Sequence, residues 1–173
     1  TWYFPLQENY WNSEKKVKGK ILRNYYATLF GDAWETAVYV VNNLERLEDE
    51  TRSFHRALFT SSLPHEVLDA ISSQASIMRT NTCFRTGDGN FYGFEGTRDD
   101  AGCCPLNCTH VWNYEQAVAH LFPPLERTVR RVDFLHSTDE RGHMAFRTLI
   151  PLVGVRWKFK PAADGQMGTI VKL

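Results

Sequence analysis

A chain of 173 residues with 43% apolar and 13% aromatic side chains can form one packed core, and a formal net charge of zero gives it no global attraction to nucleic acid or anionic membrane. No stretch approaches the roughly 20 apolar residues of a membrane span, and the opening Thr1-Trp2-Tyr3-Phe4-Pro5 has neither a charged n-region nor an apolar h-region. Four cysteines, two of them adjacent, do not read as a secreted disulfide framework, so a reducing, cytoplasmic setting is expected.

In chain order, Thr1 to Leu6 reads as a short strand with a proline bend. Gln7 to Lys20 is polar and carries the basic run Glu14-Lys15-Lys16-Val17-Lys18-Gly19-Lys20. Without interleaved aromatics that run predicts a solvated loop and not a phosphate contact. Asp32 is a good N-cap, and after it Trp34, Ala37, Val38, Val41, Leu44, Leu47, Thr51, Phe54 and Leu58 recur at three- and four-residue steps. The pattern predicts one amphipathic helix of roughly 40 Å at 1.5 Å per residue. Its other face carries Glu45, Arg46, Glu48, Asp49, Glu50 and Arg52, and His55 falls at its boundary. A second helix is expected from Leu63-Pro64, capped by Ser61-Ser62, with Val67, Leu68, Ile71, Ala75 and Met78 as its stripe. Facing stripes and a short connection predict an αα-hairpin.

Gly87-Asp88-Gly89-Asn90 is expected to turn Thr82 to Arg85 back onto Phe91 to Glu95 as a β-hairpin. Most of the potential chemistry lies just beyond that turn, between Phe91 and Arg130. A loop there holds Glu95, Asp99, Asp100 and three cysteines, and it leads into a helix that Thr109 is placed to cap, with His110, Trp112, Asn113 and Glu115 in its first turns. A helix N-terminus beneath a carboxylate-bearing loop brings donors, an aromatic ring and acids together, as sugar hydroxyls require. The same spacing also fits a tight loop-to-helix junction whose Thr, Asn and Trp only satisfy backbone groups and fill core.

Pro123-Pro124 breaks or kinks the path, and Leu125, Val129, Val132 and Leu135 mark a further helical stripe. A turn follows at Asp139 to Gly142, then an extended run from Met144 to Leu149. Asp164-Gly165 forms the lip of a last helix beginning near Gln166.

Cys103, Cys104, Cys108 and His110 lie within eight positions, with Cys83 in the preceding hairpin, and thiolates with imidazole are a common zinc set. The usual two-residue gap between paired ligands is missing, so no metal or cofactor is expected here; a disulfide within the group, or free thiols, fits better. A Cys/His metal module and a non-catalytic interaction module remain the alternatives to an enzyme.

Phe91-Tyr92-Gly93-Phe94-Glu95-Gly96, the pair Cys103-Cys104, Cys108-Thr109-His110-Val111-Trp112-Asn113-Tyr114 and Leu121-Phe122-Pro123 together resemble the non-lysosomal glucosylceramidase and β-glucosidase family, glycoside hydrolase family 116. Asn24 to Phe30 upstream and Ala162 to Gly168 downstream are similar to the same family in the same order. The resemblance implies an N-terminal β-sandwich followed by an (α/α)6 catalytic domain, and cleavage of β-glucosides with retention by two carboxylates. Such relatives are several times longer, so the chain looks like an internal piece. Residues 1–30 would end the sandwich and linker, and 31–173 would form the first part of a truncated toroid. The expected fold is mainly α, an incomplete (α/α)6 toroid with short β-hairpins and one strand left from the sandwich.

The family's nucleophile lies in a Glu-Gly block that continues into a Gln-His-Asn-Thr-Tyr-Asp-like run, and its acid/base is an Asp in a later block. Neither continuation occurs here, so no catalytic residue is expected within this chain, and Glu95-Gly96 belongs to a different, earlier block. What carries over is a supporting, substrate-binding role for Thr109, His110, Trp112 and Asn113, with Glu95 and Asp164 as wall residues. The implied partners are a β-glucoside, glucosylceramide or another, and the remainder of the same catalytic domain.

Overall fold

A computed structural model describes residues 3–8, 21–97, 102–153, 156–158 and 160–173. The basic run of residues 14–20 and the acids Asp99 and Asp100 lie outside the described residues. Within them the protein is mainly helical. Strands β1 (Leu6–Glu8) and β2 (Ile21–Arg23) pair antiparallel, followed by helices α1 (Ala33–Asn42), α2 (Leu44–Phe59) and α3 (His65–Ala75). The pair β3 (Cys83–Arg85) and β4 (Phe91–Gly93) comes next, then β5 (Gly96–Thr97) and β6 (Gly102–Cys103). Helices α4 (Thr109–Tyr114), α5 (Ala117–Leu121), α6 (Pro123–Val132) and α7 (Ala163–Val171) complete the order.

The β3–β4 hairpin sits at the centre, in the register Cys83↔Gly93, Phe84↔Tyr92 and Arg85↔Phe91. Asp88 sets its turn by accepting from the Thr86 hydroxyl and the Asn90 backbone N–H, and Gly89 supplies the left-handed φ of 88°. Strand side chains alternate, so the hairpin feeds two apolar clusters, one on each face. Phe91 and Cys83 join Trp112, Val118 and Val129 on one side, whereas Tyr92 and Phe94 join Leu106, Val132 and Ile150 on the other. The outer edge of β4 is closed by side chains: Phe91 N–H donates to Thr128 Oγ1 at 3.0 Å and Gly93 N–H to Asn107 Oδ1 at 2.8 Å.

Asp32 caps α1 as expected, accepting from the Glu35 N–H at 2.8 Å. The long helix, however, is broken. Asn43 separates α1 from α2, and its side chain turns back to donate to the Tyr39 carbonyl at 2.8 Å, a local bond that competes with continuing helix. Pro64 is the N-cap residue of α3 and not its first helical position, and neither serine caps it. α3 buries Leu68 and rests chiefly on α5, so the expected seam between the first two long helices gives way to a contact further along the chain. Pro123 and Pro124 start α6, where their missing N–H groups cost nothing. Beyond α6 a π-helical turn, Asp133–Ser137, widens the helix and shifts its phase, so Leu135 leaves the stripe and is 75% exposed. α7 begins at Ala163, three residues earlier than expected.

A buried ionic cluster ties α6 to α7. Arg130 lies 3.1 Å from Glu126 and 3.2 Å from Asp133, and Lys172 lies 3.6 Å from Glu126. The Arg130 Nε–Glu126 contact is short but not aligned as a hydrogen bond, and the same holds for Asp133 Oδ2. Desolvation therefore dominates Asp133: burial pushes its carboxyl up to about 7, and the nearby Glu126 adds to that against the pull of Arg130 and Lys172. The unfolded chain releases this proton near the ordinary 3.8, whereas the folded chain holds it to about 7. Between those values the folded state binds more protons, so this group's contribution to stability falls as pH rises through that window and stays low above it. Asp133→Asn is expected to flatten that slope, seen by comparing urea midpoints at about pH 5 and about pH 7.5 with wild type.

Candidate functional site

The central helix is shorter than the sequence suggests. α4 has six residues, Cys108 occupies its N-cap position without a side-chain capping bond, and Glu115 already ends it. Thr109 is the first helical residue and does not cap. It is 3% exposed, and its Oγ1 has no hydrogen-bond partner among the described residues. Its position is set by α7, because Gly165 lies so close that a Cβ there would stand 2.1 Å from Thr109 Oγ1. Gly168 repeats the approach one turn on, against Asn113. Two glycines three positions apart let α7 lie directly on α4, a signal visible in the sequence as an unexplained pair of helix glycines.

That close seam divides the six sequence-predicted residues into three groups. Thr109, Trp112 and Asn113 turn into the packing and not toward a mouth. Trp112 is 8% exposed, meets Phe91 edge-on at 6.0 Å, and its buried Nε1 has no partner among the described residues. Asn113 is a hub: Nδ2 donates to the Gly165 carbonyl at 2.8 Å and to Thr169 Oγ1 at 3.0 Å, while Oδ1 accepts from Arg130 at 3.0 Å. Both amide protons are taken by protein acceptors.

His110 and Asp164 form the second group, at the adjoining ends of α4 and α7. His110 Nδ1 lies 2.6 Å from Asp164 Oδ2, and the side chains are 39% and 53% exposed. The His110 hydrogen bond holds the Asp164 carboxyl below the usual carboxylate range, helped by the Gly165 N–H. Two residues that the sequence reading missed complete the surroundings: Tyr114, whose hydroxyl donates to Asp164 Oδ2 at 3.5 Å, and Phe146, which meets the imidazole at 5.9 Å. Tyr114 follows His110 by one helical turn, a spacing readable in the sequence. An imidazole, a carboxylate and a phenol facing solvent together can donate and accept hydrogen bonds to a polyhydroxyl ligand.

Glu95, the third group, lies elsewhere. Arg147 donates to its Oε1 at 2.6 Å and to the Pro105 carbonyl at 3.1 Å. Burial raises its carboxyl, but the thiols of Cys108 and Cys104 together with Arg147 outweigh that and leave it below its ordinary range. Reciprocally, contact with Cys103 and then with Glu95 pushes the Cys104 thiol up to about 11. Glu95, Cys103 and Cys104 each present a ligand atom within 4.8 Å of the others. Cys83 and His110 stand apart from this group: Cys83 is packed in the apolar core, where burial pushes its thiol up to about 12, and His110 faces Asp164. All four cysteines are free thiols.

A cavity of about 260 Å³ is lined by Leu22, Arg23, Asp88, Tyr92, Ile150 and Leu152 among others, and by none of the six. It falls short of the roughly 300–1,000 Å³ that sites for drug-sized ligands offer. Among the described residues no helix is long and apolar enough to cross a membrane. No family model matches this chain, and no curated protein is detectably similar to it.

Proposed function

We propose that this chain supplies part of the sugar pocket of a retaining β-glucosidase of the glucosylceramidase type, built on an (α/α)6 toroid of which these helices are the first. The observation that carries the reading is the His110–Asp164 pair, two residues 54 positions apart that meet at 2.6 Å on an exposed end of the α4–α7 seam. Both lie in segments that resemble the family. In this reading His110 and Asp164 hold sugar hydroxyls, with Tyr114 steadying the acid. Thr109, Trp112 and Asn113 position the helices that carry them. The nucleophile and the acid/base come from segments after residue 173.

Unpartnered apolar faces support the toroid. α1 and α2 bury no residue: Phe54 rests on Phe122 at 5.7 Å, but Trp34, Val41 and Leu44 are exposed on them, as are Met167, Ile170 and Val171 on α7. Further helical hairpins of the same domain would cover these faces. Translation of the reading frame past Leu173 tests the proposal, with a Glu-Gly-x-Gln-His-Asn-like block expected. Purified 173-residue chain is expected to leave a chromogenic β-glucoside intact. Turnover abolished by Glu95→Gln would overturn the assignment of the catalytic carboxylates.

A further inference from the structure

Side chains of neighbouring strand residues point to opposite faces, so adjacent cysteines do not ordinarily share a ligand. Cys103 and Cys104 escape that rule. Cys103 ends β6, and Cys104 follows it at φ 63°, a left-handed conformation that costs a non-glycine residue on the order of 1–2 kcal/mol. The kink turns both thiols to one side, leaving their Sγ atoms 3.2 Å apart. Backbone outliers of this kind persist where the surroundings over-determine them, and they concentrate at ligand clamps. Glu95 is brought to the same place by the β5–β6 ladder, its N–H donating to the Cys103 carbonyl at 3.3 Å.

A disulfide and a metal ask for different sulfur separations. Tetrahedral zinc with Zn–S bonds of about 2.3 Å sets two thiolates about 3.8 Å apart, whereas a disulfide needs about 2.05 Å. From 3.2 Å the first requires a small opening and the second a closure of more than about 1 Å between residues already joined by one peptide bond. The carboxylate decides further, since a disulfide has no use for Glu95 and a cation does.

We propose that Glu95, Cys103 and Cys104 form a binding site for one divalent cation of the zinc type, its fourth position open to water. Two thiolates and a carboxylate around such a cation leave one net negative charge, which Arg147 on Glu95 Oε1 balances. Arg147 also fixes the carboxylate's orientation, the part that supporting hydrogen bonds play around metal ligands. Cys108 touches Glu95 but falls outside the three mutually close donors, so it supports the acid and does not bind the cation. The missing two-residue gap, which argues against zinc in the sequence, is overcome by the left-handed turn at Cys104. This site is independent of the His110–Asp164 reading, and either stands without the other.

The reduced, chelator-treated 173-residue chain is incubated with zinc chloride, passed through a desalting column and assayed for metal. One equivalent is expected to remain with the wild type, Cys83→Ser and Cys108→Ser, and to be lost from Cys103→Ser and Cys104→Ser. Cobalt in place of zinc should give a thiolate charge-transfer band in the same three proteins. Should the serine variants fail to fold, the wild type alone suffices: zinc is expected to slow iodoacetamide alkylation at Cys103 and Cys104, mapped by peptide mass spectrometry. A wild type that retains no zinc, retention by both Cys103→Ser and Cys104→Ser, or alkylation of the pair at the same rate with and without zinc would each overturn the proposal.

Discussion

Gly93→Ala is expected to destabilise the fold by about 3 kcal/mol or more, at or above the top of the usual range for overpacking. A Cβ built at Gly93 stands 1.8 Å from Trp112 Cζ2, and two further indole carbons lie within 2.6 Å of it. Such an overlap is relieved only if the ring or the strand moves, and both are held. Phe91 packs edge-on against the indole, and Gly93 is pinned on both edges, by β3 on one side and by Asn107 on the other, which accepts from its N–H and donates to its carbonyl. Gly96→Ala is the matched control, because a Cβ there meets nothing within 4 Å, and its effect should stay within about 0.5 kcal/mol. Urea unfolding of the two variants beside wild type reads the contrast. Equal midpoints would contradict the packing described for the centre of the fold.

Asn113→Ala is expected to cost about 2–3 kcal/mol, because three bonds end at this buried amide, one of them from a charged group, and their partners are left unsatisfied. Its loss strips Arg130 of a neutral acceptor inside a cluster whose ion pairs are imperfectly aligned. It also takes a donor from the Gly165 carbonyl at the closest point of the α4–α7 seam. In any assay that depends on the seam, melting temperature and activity should fall together. A variant that melts with wild type would show that Asn113 does not hold α4, α6 and α7 together.

The features legible in the sequence were those written locally. Asp32 announces its cap by its spacing to the helix it starts, and Gly87-Asp88-Gly89-Asn90 announces the hairpin, since both bonds that set its turn lie within the five residues from Thr86 to Asn90. The proline pair at 123–124 announces the break between α5 and α6 for equally local reasons, although not that α6 begins on the prolines themselves. What escaped is non-local or too short to have a period. A six-residue α4 offers under two turns, so its mouth-facing and packing residues could not be told apart by spacing. Nothing near Asn43 marks it as a break, because its side chain closes a bond that helix-interior asparagines usually forgo. The partners Asn113–Gly165, Glu95–Arg147 and Arg130–Asn113 join elements that only the packing brings together. The resemblance selected His110 and Asp164 without indicating that they meet.

The most direct measurement is the kinetics of β-glucoside hydrolysis by the longer enzyme that this chain is proposed to help build, with Asp164→Ala and His110→Ala compared with wild type. Because the pair is exposed, its contribution to folding is small, and the melting temperature should not change. Lost hydrogen bonds to the sugar in the transition state should lower kcat/KM by about 10-fold to 1,000-fold, equivalent to roughly 1.4–4 kcal/mol. Both variants hydrolysing the substrate with wild-type kcat/KM would contradict the assignment of this end of the α4–α7 seam to the sugar pocket.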